Sequence, residues 1–303
     1  MSRPSLFFVI ATTLIISLSP VRSAQALEIT TSIKPLQLLV ASITAGISQP
    51  RLLIPGASSP HDYQMRPSER RQLEQAELVF WIGPALEMSL TKVLQQLPAS
   101  ARVITLAEES DNPDPQTQDE HADDEHGHHA HGIDPHIWLD PDLGAELAAR
   151  IAAVLSEADP AHKADYQHNL ERFLTRLIEH DQQLKALLEP VKNLGYFVFH
   201  DAYQRFEQHY QLNHLGAFTL NPERNPGARH LTEIKQQLVE RQAVCVFTEP
   251  QFAPALVTNL ITGTPVRLGE LDPLGIDIQA DADGYFKLLT RLGESFEHCL
   301  SAP

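Results

Sequence analysis

The sequence has few cysteines, few basic residues and no long apolar segment, and each shortage excludes a class of protein. Two cysteines in 303 residues are too few for a disulfide-rich scaffold or a four-cysteine metal site. The 23 Lys and Arg residues are outnumbered by 39 Asp and Glu residues. This balance argues against nucleic acid or an anionic membrane surface as the main partner, because both require a basic patch. The hydrophobic fraction of 43% is that of a globular protein with a sizeable core.

The first 26 residues have the pattern of a secretory signal peptide. Arg3 supplies a positive charge, residues 6–18 are apolar, and residues 24–26 (AQA) form a small-x-small cleavage site. The apolar run is shorter than the roughly 20 residues that a membrane span needs, although an uncleaved anchor is the alternative. No lipobox cysteine lies nearby, so no lipid anchor is expected. We therefore expect an exported, soluble protein whose mature chain begins at Leu27.

Export changes the interpretation of the two cysteines. Cys245 lies in an apolar, strand-like run, and Cys299 lies close to the C-terminus. In an oxidising compartment, such a pair is typical of a disulfide bond. The bond would tie the last helix to the C-terminal sheet, whereas two unrelated buried thiols are the alternative.

From Leu27 onward, short strand-like runs alternate with helical patterns. Such alternation is typical of βαβ units with parallel sheets, and its recurrence after residue 190 predicts two α/β lobes, 27–159 and 190–303. The predicted strands are 29–33, 51–54, 78–82, 103–106, 196–199, 215–219, 243–248 and 264–268. The predicted helices are 36–45, 67–75, 86–97, 231–242, 253–261 and 283–299.

One long helix is predicted between the lobes, over residues 160–189. Its apolar residues follow a 3.6-residue period, and it contains no glycine. Asp159 and Pro160 are typical of a helix start, and Pro190 is typical of a stop. A helix of this length exceeds the width of one lobe, so we expect it to run along both and to restrict hinge opening.

Residues 108–134 interrupt the α/β pattern. The segment holds ten acidic residues, no Lys or Arg and almost no apolar side chains, which predicts a mobile surface loop in the first lobe. Within it, residues 119–131 (DEHADDEHGHHAH) form a His/acid-rich tract of the kind that binds metal weakly. A solvated charge run without a ligand is the alternative. The histidines of this auxiliary metal loop are His121, His126, His128, His129 and His131.

Three further histidines lie where functional groups collect in α/β proteins. His61 follows a predicted strand and a turn-rich stretch, and His200 ends the apolar run 196–199. Ligands gather at the carboxyl ends of parallel strands, which is where both residues are expected. His136 follows the His-rich segment. A lone histidine is more often structural than metal-binding, but their joint positions beside a His-rich tract in an exported acidic protein favour a metal site.

Six motifs in this order resemble the ZnuA-like periplasmic zinc-binding proteins of bacterial ABC importers, a cluster that also contains manganese and iron binders. They are GASSPHDYQMRPS (56–68), LVFWIGPALE (78–87), DPHIWLDP (134–141), GYFVFHDAYQRFE (195–207), CVFTEPQF (245–252) and LDPLG (271–275). The resemblance spans essentially the whole mature chain. It implies two α/β lobes joined by a long helix, one metal ion in the cleft, a periplasmic location and delivery to a membrane permease.

The resemblance also implies the residues that bind the metal. Glu249 of TEPQF matches a carboxylate near the family's cleft and is expected behind the ligands rather than among them. Enteric zinc members of the family carry Glu immediately before the first histidine, whereas this chain has Pro60, so the fourth ligand is expected to be Asp272 or water, with Asp272 favoured. The implied ligands are His61, His136, His200 and the aspartate of LDPLG, Asp272.

Ligand chemistry favours zinc as the metal. Three imidazoles with one carboxylate or water form a set that zinc accepts readily, whereas manganese prefers more oxygen ligands. Manganese relatives carry Glu at the position of His200. We therefore predict a monomeric component of a zinc importer that captures zinc and delivers it to an ABC permease. The alternatives are a manganese or iron importer component and a zinc-buffering or adhesion protein.

Catalysis by a zinc hydrolase is the least favoured alternative. Three protein ligands and a water molecule also form a catalytic zinc site. The sequence contains neither HExxH nor HxHxDH, however, and Glu249 is the one obvious candidate for a general base. We therefore expect that the protein is not an enzyme.

Overall fold

Two parallel four-stranded sheets form the framework of the protein. The structure is a computed structural model that describes residues 27–107, 134–219, 227–252 and 255–301. The N-terminal sheet has the order β2-β1-β3-β4, and the C-terminal sheet has the matching order β6-β5-β7-β8. The strands are β1 (Ile29–Thr31), β2 (Arg51–Leu52), β3 (Leu78–Trp81), β4 (Arg102–Thr105), β5 (Tyr196–His200), β6 (His214–Thr219), β7 (Cys245–Thr248) and β8 (Arg267–Glu270).

Helices cover these sheets and connect them. None of the helices within the described ranges is long and apolar enough to cross a bilayer. The helices are α1 (Lys34–Ile43), α2 (Pro67–Glu74), α3 (Thr91–Leu94), α4 (Pro141–Ala158), α5 (Lys163–Leu188), α6 (Gln204–Tyr210), α7 (Ala228–Glu240), α8 (Ala255–Ile261) and α9 (Gly284–Ser301). The predicted fold class, two parallel α/β lobes joined by one long helix, is confirmed.

The central strands are apolar because both of their faces are covered. All residues of β3, β5 and β7 are buried, which is typical of strands that have helices on both sides. Strand β5 ends at His200, and β7 leads directly into Glu249. Buried parallel strands therefore hold the site on a rigid base.

Three predicted elements differ from the structure. The predicted strand 264–268 begins later, as β8 at Arg267, because Thr264 closes a turn on the carbonyl of Ile261 and Pro265 has no N–H to donate. The predicted helix 86–97 is a short 3₁₀ segment followed by the single-turn α3. The predicted helix 160–189 begins with a 3₁₀ turn, so α5 itself starts at Lys163.

Helices α4 and α6 were not predicted. The side chain of Asp140 accepts hydrogen bonds from the backbone N–H groups of Asp142 and Leu143, which caps α4, and Pro141 occupies the first turn. Both signals lie within the motif DPHIWLDP, next to His136. The start of α4 therefore holds this candidate ligand close to a fixed helix end.

The C-terminal helix α9 contacts both lobes. At its start, Gly284 lies so close to Leu38 of α1 that an added Cβ would stand 2.8 Å from the leucine side chain. At its other end, Cys299 is bonded to Cys245 of β7 in the C-terminal lobe, as predicted. Helix α9 also packs along α5. Helix α9 therefore packs against both lobes beside α5, the long helix that joins them in the chain.

Candidate metal centre

The three histidines come from different segments that meet between the lobes. His61 lies in the turn after β2, and its backbone N–H contacts the Ser59 hydroxyl at 3.3 Å. His136 immediately precedes the 3₁₀ segment before α4, and His200 is the last residue of β5. His136 and His200 are almost fully buried. The N-terminal lobe thus supplies two imidazoles and the C-terminal lobe supplies the third.

The imidazole rings surround one small cavity. Their centroids are 5.5 Å apart for His61 and His136, and 5.1 Å apart for each of the other two pairs. One nitrogen of each ring lies within 4.8 Å of the others. The cavity has a volume of about 20 Å³, which suits one ion or water molecule rather than an organic substrate. Its other lining residues are Ser59, Pro60, Glu249, Gln251, Phe252, Pro273 and Leu274.

The protonation state of His61 suits a metal ligand. Burial and the neighbouring imidazoles of His136 and His200 lower the pKa of His61 to about 3. The ring is therefore neutral at pH 7, with a lone pair available. Its buried Nε2 has no hydrogen-bond partner among the described residues.

A carboxylate that the sequence interpretation did not single out orients His136. Asp134 Oδ1 lies 2.6 Å from His136 Nδ1 and also accepts the backbone N–H of His136 at 3.0 Å. A carboxylate accepts the proton of Nδ1 and so leaves the lone pair on Nε2, an arrangement that is common behind metal-bound histidines. The available signal was the acidic residue two positions before the candidate ligand.

Glu249 lies behind His200. The residue follows β7 and is buried, and its Oε1 is 3.5 Å from His200 Nδ1. With Asp134, it places two carboxylates beside three imidazoles. Two negative charges next to the cavity balance the charge of one divalent cation, which reduces the cost of burying that cation.

Asp272 does not join the three histidines. It is absent from the group of ligand atoms that lie within 4.8 Å of one another in the described structure. Its carboxylate instead accepts the backbone N–H groups of Leu274, Gly275 and Ile276 at 2.8–3.0 Å and the side-chain amide of Gln251 at 3.3 Å. These bonds fix the turn whose Pro273 and Leu274 line the cavity.

The predicted auxiliary loop sites cannot be located in this structure. His121, His126, His128, His129 and His131 lie outside the described residues, as does the predicted signal peptide.

The chain matches the family model described as zinc-uptake complex component A, periplasmic, over residues 29–299. It belongs to the ZnuA family. The resemblance found in the sequence motifs is thereby confirmed. The comparison does not test individual ligands, so the assignment of His61, His136, His200 and Asp272 stays a prediction.

Relatives of the ZnuA family resemble the chain along most of its length. The high-affinity zinc uptake system protein ZnuA of Yersinia pestis is 40% identical over 288 residues, which cover 90% of this chain and 91% of the relative. A crystal structure of a zinc-bound ZnuA deletion mutant has 26% identity and a TM-score of 0.76, covering 92% of this chain and all of that one. The periplasmic zinc-binding protein TroA of Treponema pallidum has a TM-score of 0.75, with coverage of 90% and 98%; at 19% identity it supports the fold alone.

Proposed function

We propose that this protein captures zinc in the periplasm and delivers it to an ABC-type permease for uptake. The observation that carries the proposal is the convergence of three buried or half-buried imidazoles on one ion-sized cavity between the lobes. Membership of the ZnuA family supports zinc as the bound ion and an ABC-type permease as its destination.

The proposed zinc ligands are His61, His136 and His200. Three nitrogen ligands and one oxygen ligand suit tetrahedral zinc. We propose water as the fourth ligand, because the carboxylate of Asp272 is engaged by four hydrogen bonds and Pro60 has no side-chain donor atom. Glu249 and Asp134 would hold the imidazoles of His200 and His136 in place.

The His-rich tract 119–131 is proposed to bind additional zinc weakly. The composition of the tract predicts that it must be ordered on binding, at about 1–2 kcal/mol of backbone entropy per residue, so its affinity should fall well below that of preformed ligands. In calorimetry, deletion of residues 119–131 should remove the later, shallow binding events and retain the tight one. Loss of the tight event would identify the tract as the primary site.

The protein is proposed to act as a monomeric binding component and not as an enzyme. The cavity of about 20 Å³ matches a single ion better than an ester or peptide. We also propose cleavage after Ala26 and no lipid anchor. Mass spectrometry of protein isolated from the periplasm tests both statements, because a cleaved chain starts at Leu27 without added lipid mass.

Zinc titration of the metal-free protein tests the central proposal. A chromophoric competitor should reveal one tight equivalent of zinc and weaker binding of manganese. Replacement of His61 or His200 by Ala should weaken the tight site by more than the roughly 100-fold that loss of an outer partner causes. His168→Ala is the matched control, since His168 is exposed on α5 and outside the cluster.

The two kinds of failure have different meanings. Wild-type affinity in His200→Ala would show that the ligands are wrong. Tighter binding of manganese than of zinc to the native protein would show that the cargo is wrong.

A further inference from the structure

A second group of metal-ligand side chains lies where α4 meets α6. Asp140 precedes α4, Asp142 lies in its first turn, and His209 lies in the last turn of α6. His209 Nδ1 is 3.6 Å from Asp140 Oδ1 and 3.5 Å from Asp142 Oδ2, and all three atoms lie within 4.8 Å of one another. None of these residues belongs to the three-histidine centre.

The imidazole of His209 is held with one nitrogen directed at this group. Its side chain is only 8% exposed, and its Nε2 lies 2.7 Å from Asp181 Oδ1 on α5. In the tautomer that carries its proton on Nε2, the ring donates to the Asp181 carboxylate and has its lone pair on Nδ1. Nδ1 faces two carboxylates, one from Asp140 and one from Asp142.

We propose that Asp140, Asp142 and His209 form a second site for a divalent transition-metal ion such as zinc. Ligands about 2.0–2.2 Å from a tetrahedral zinc ion lie about 3.4 Å from one another, close to the two distances observed here. Asp181 would act behind His209 as a carboxylate behind a metal-bound imidazole. A bound cation would attract the lone pairs of His209 Nδ1 and of the Asp140 and Asp142 carboxylates, which repel one another without it.

The surroundings of this second site indicate that it is accessible to solvent and binds metal less tightly than the three-histidine centre. The Asp142 side chain is 85% exposed, so water competes for its carboxylate. Asp140 Oδ1 also accepts the backbone N–H groups of Asp142 at 2.8 Å and of Leu143 at 3.4 Å, and these two donors compete with a metal for that oxygen. A bound cation would connect α4 of the first lobe to α6 of the second. It would add a removable link between them.

Protonation is the competing explanation for the same cluster. A protonated His209 could form ion pairs with Asp140, Asp142 and Asp181 without any metal. Asp181 also contacts Lys185 Nζ at 2.6 Å, so one of these carboxylates already has a cationic neighbour. An experiment must therefore detect a metal at His209 itself.

Cobalt(II) provides such a probe in the full-length mature protein loaded with one equivalent of zinc. Cobalt binds less tightly than zinc in the usual order of metal affinity, so it should leave the cleft zinc in place. The paramagnetic effect on the His209 imidazole signals is followed by NMR, and His209→Gln identifies these signals by their loss. We expect saturable shifts or broadening at His209 that are distinct from those of the other histidines.

Asp142→Asn provides the decisive comparison because an exposed residue can be changed without disturbing the fold. Cobalt binding at His209 should weaken at least about tenfold in Asp142→Asn. It should not change in Asp165→Asn, the matched control, whose exposed Asp165 lies in the first turn of α5 outside any ligand group. Equal binding in the two variants would overturn the proposal.

Unperturbed His209 signals during a titration that shifts other histidines would also overturn it and favour the ion-paired cluster. The test does not depend on the cleft. His200→Ala, without zinc preloading, should retain the cobalt response of His209 even if the cleft assignment is wrong.

Discussion

At the residue scale, two carboxylates lie beside imidazoles of the candidate metal centre. Asp134 contacts His136 Nδ1, and Glu249 lies beside Nδ1 of His200. Each acidic group adds negative charge next to the cavity without occupying a ligand position. Metal affinity is therefore expected to depend on residues that never touch the ion.

Asp134→Asn is predicted to weaken zinc binding by about 10–100-fold. The amide can still accept a hydrogen bond, but it lacks the charge that stabilises a metal-bound imidazole. Competition titration measures the change, with Asp165→Asn as a control for the loss of one negative charge. An unchanged zinc affinity, or a loss matched by lower thermal stability of the metal-free fold, would contradict an orienting role for Asp134.

Another histidine links folding stability to pH. His214 Nδ1 lies 3.0 Å from Glu207 Oε2 in a largely buried site. Burial lowers the pKa of His214, but the hydrogen bond and charge of Glu207 outweigh that effect and raise it to about 9. A pKa that is raised on folding stabilises the protein below the unfolded value of about 6.5, and the stabilisation is lost as pH rises through about 9.

His214→Gln is therefore predicted to have a flatter stability curve between about pH 6.5 and 9. The wild type should be the more stable protein at the lower pH. The difference in free energy of unfolding between wild type and His214→Gln should decrease by about 1–3 kcal/mol as pH rises across that window. Chemical denaturation at several pH values measures it, with His168→Gln as the exposed control. Burial raises the pKa of Glu87 to about 7, so this group also titrates within the window. Its contribution to the free energy of unfolding is present in both proteins and cancels in the difference. A constant gap would contradict the prediction.

At the element scale, the two lobes are linked by a pair of helices. Helix α5 has 26 residues and helix α9 has 18, which correspond to about 39 and 27 Å. Asn169 of α5 donates to the carbonyls of Ile43 and Ala45 in the first lobe. The disulfide then fastens the far end of α9 to β7. The pairing of α5 and α9 opposes bending at the junction.

Removing the disulfide is predicted to lower stability without removing the metal site. The bond closes a loop of 54 residues, for which the chain-entropy model gives about 4 kcal/mol. The double variant Cys245→Ser/Cys299→Ser should unfold at lower denaturant concentration and keep its tight zinc affinity, because the cysteines do not line the cavity. Reduction of the wild type should reproduce the loss. A large loss of affinity in a folded double variant would show that α9 positions the ligands.

At the scale of the whole molecule, one hydrophobic core extends through both lobes. The same cluster contains Ile29 of β1, Phe173 of α5, Tyr196 of β5 and Phe286 of α9. Across the cleft, the Trp138 indole donates to the Pro273 carbonyl at 2.8 Å. Wide separation of the lobes would expose this apolar surface, which is costly. Zinc release is therefore expected to use local movement around the cavity.

Distance measurements between the lobes test this expectation. Cysteines introduced at Met88 and Val239, both exposed, can be spin-labelled selectively because the two native cysteines are bonded to each other. Pulsed EPR distance distributions should be nearly the same with and without zinc. A longer or broader distribution in the metal-free protein would indicate hinge opening. Labels placed at Met88 and Ile178 provide the reference for motion relative to α5.

Patterns of neighbouring residues were enough to predict much of the protein. Buried parallel strands require apolar runs, so the strands, the two lobes and the long helix were visible in the chain. His61 and His200 were candidates because functional groups follow strand ends, whereas His136 was a candidate because of the family resemblance of DPHIWLDP. The cysteine pairing followed from predicted export, which leaves an oxidising compartment as the expected location.

Other features were decided only by tertiary structure, because they depend on distances between segments far apart in the chain. Nothing in LDPLG shows that the Asp272 carboxylate accepts three backbone N–H groups of its own turn. The pairing of His209 with Asp140 and Asp142 joins two lobes, and the start of α9 lies on α1 only in the folded molecule. Residue types along the chain set which chemistry is available, but packing of the lobes sets which side chains come within bonding distance.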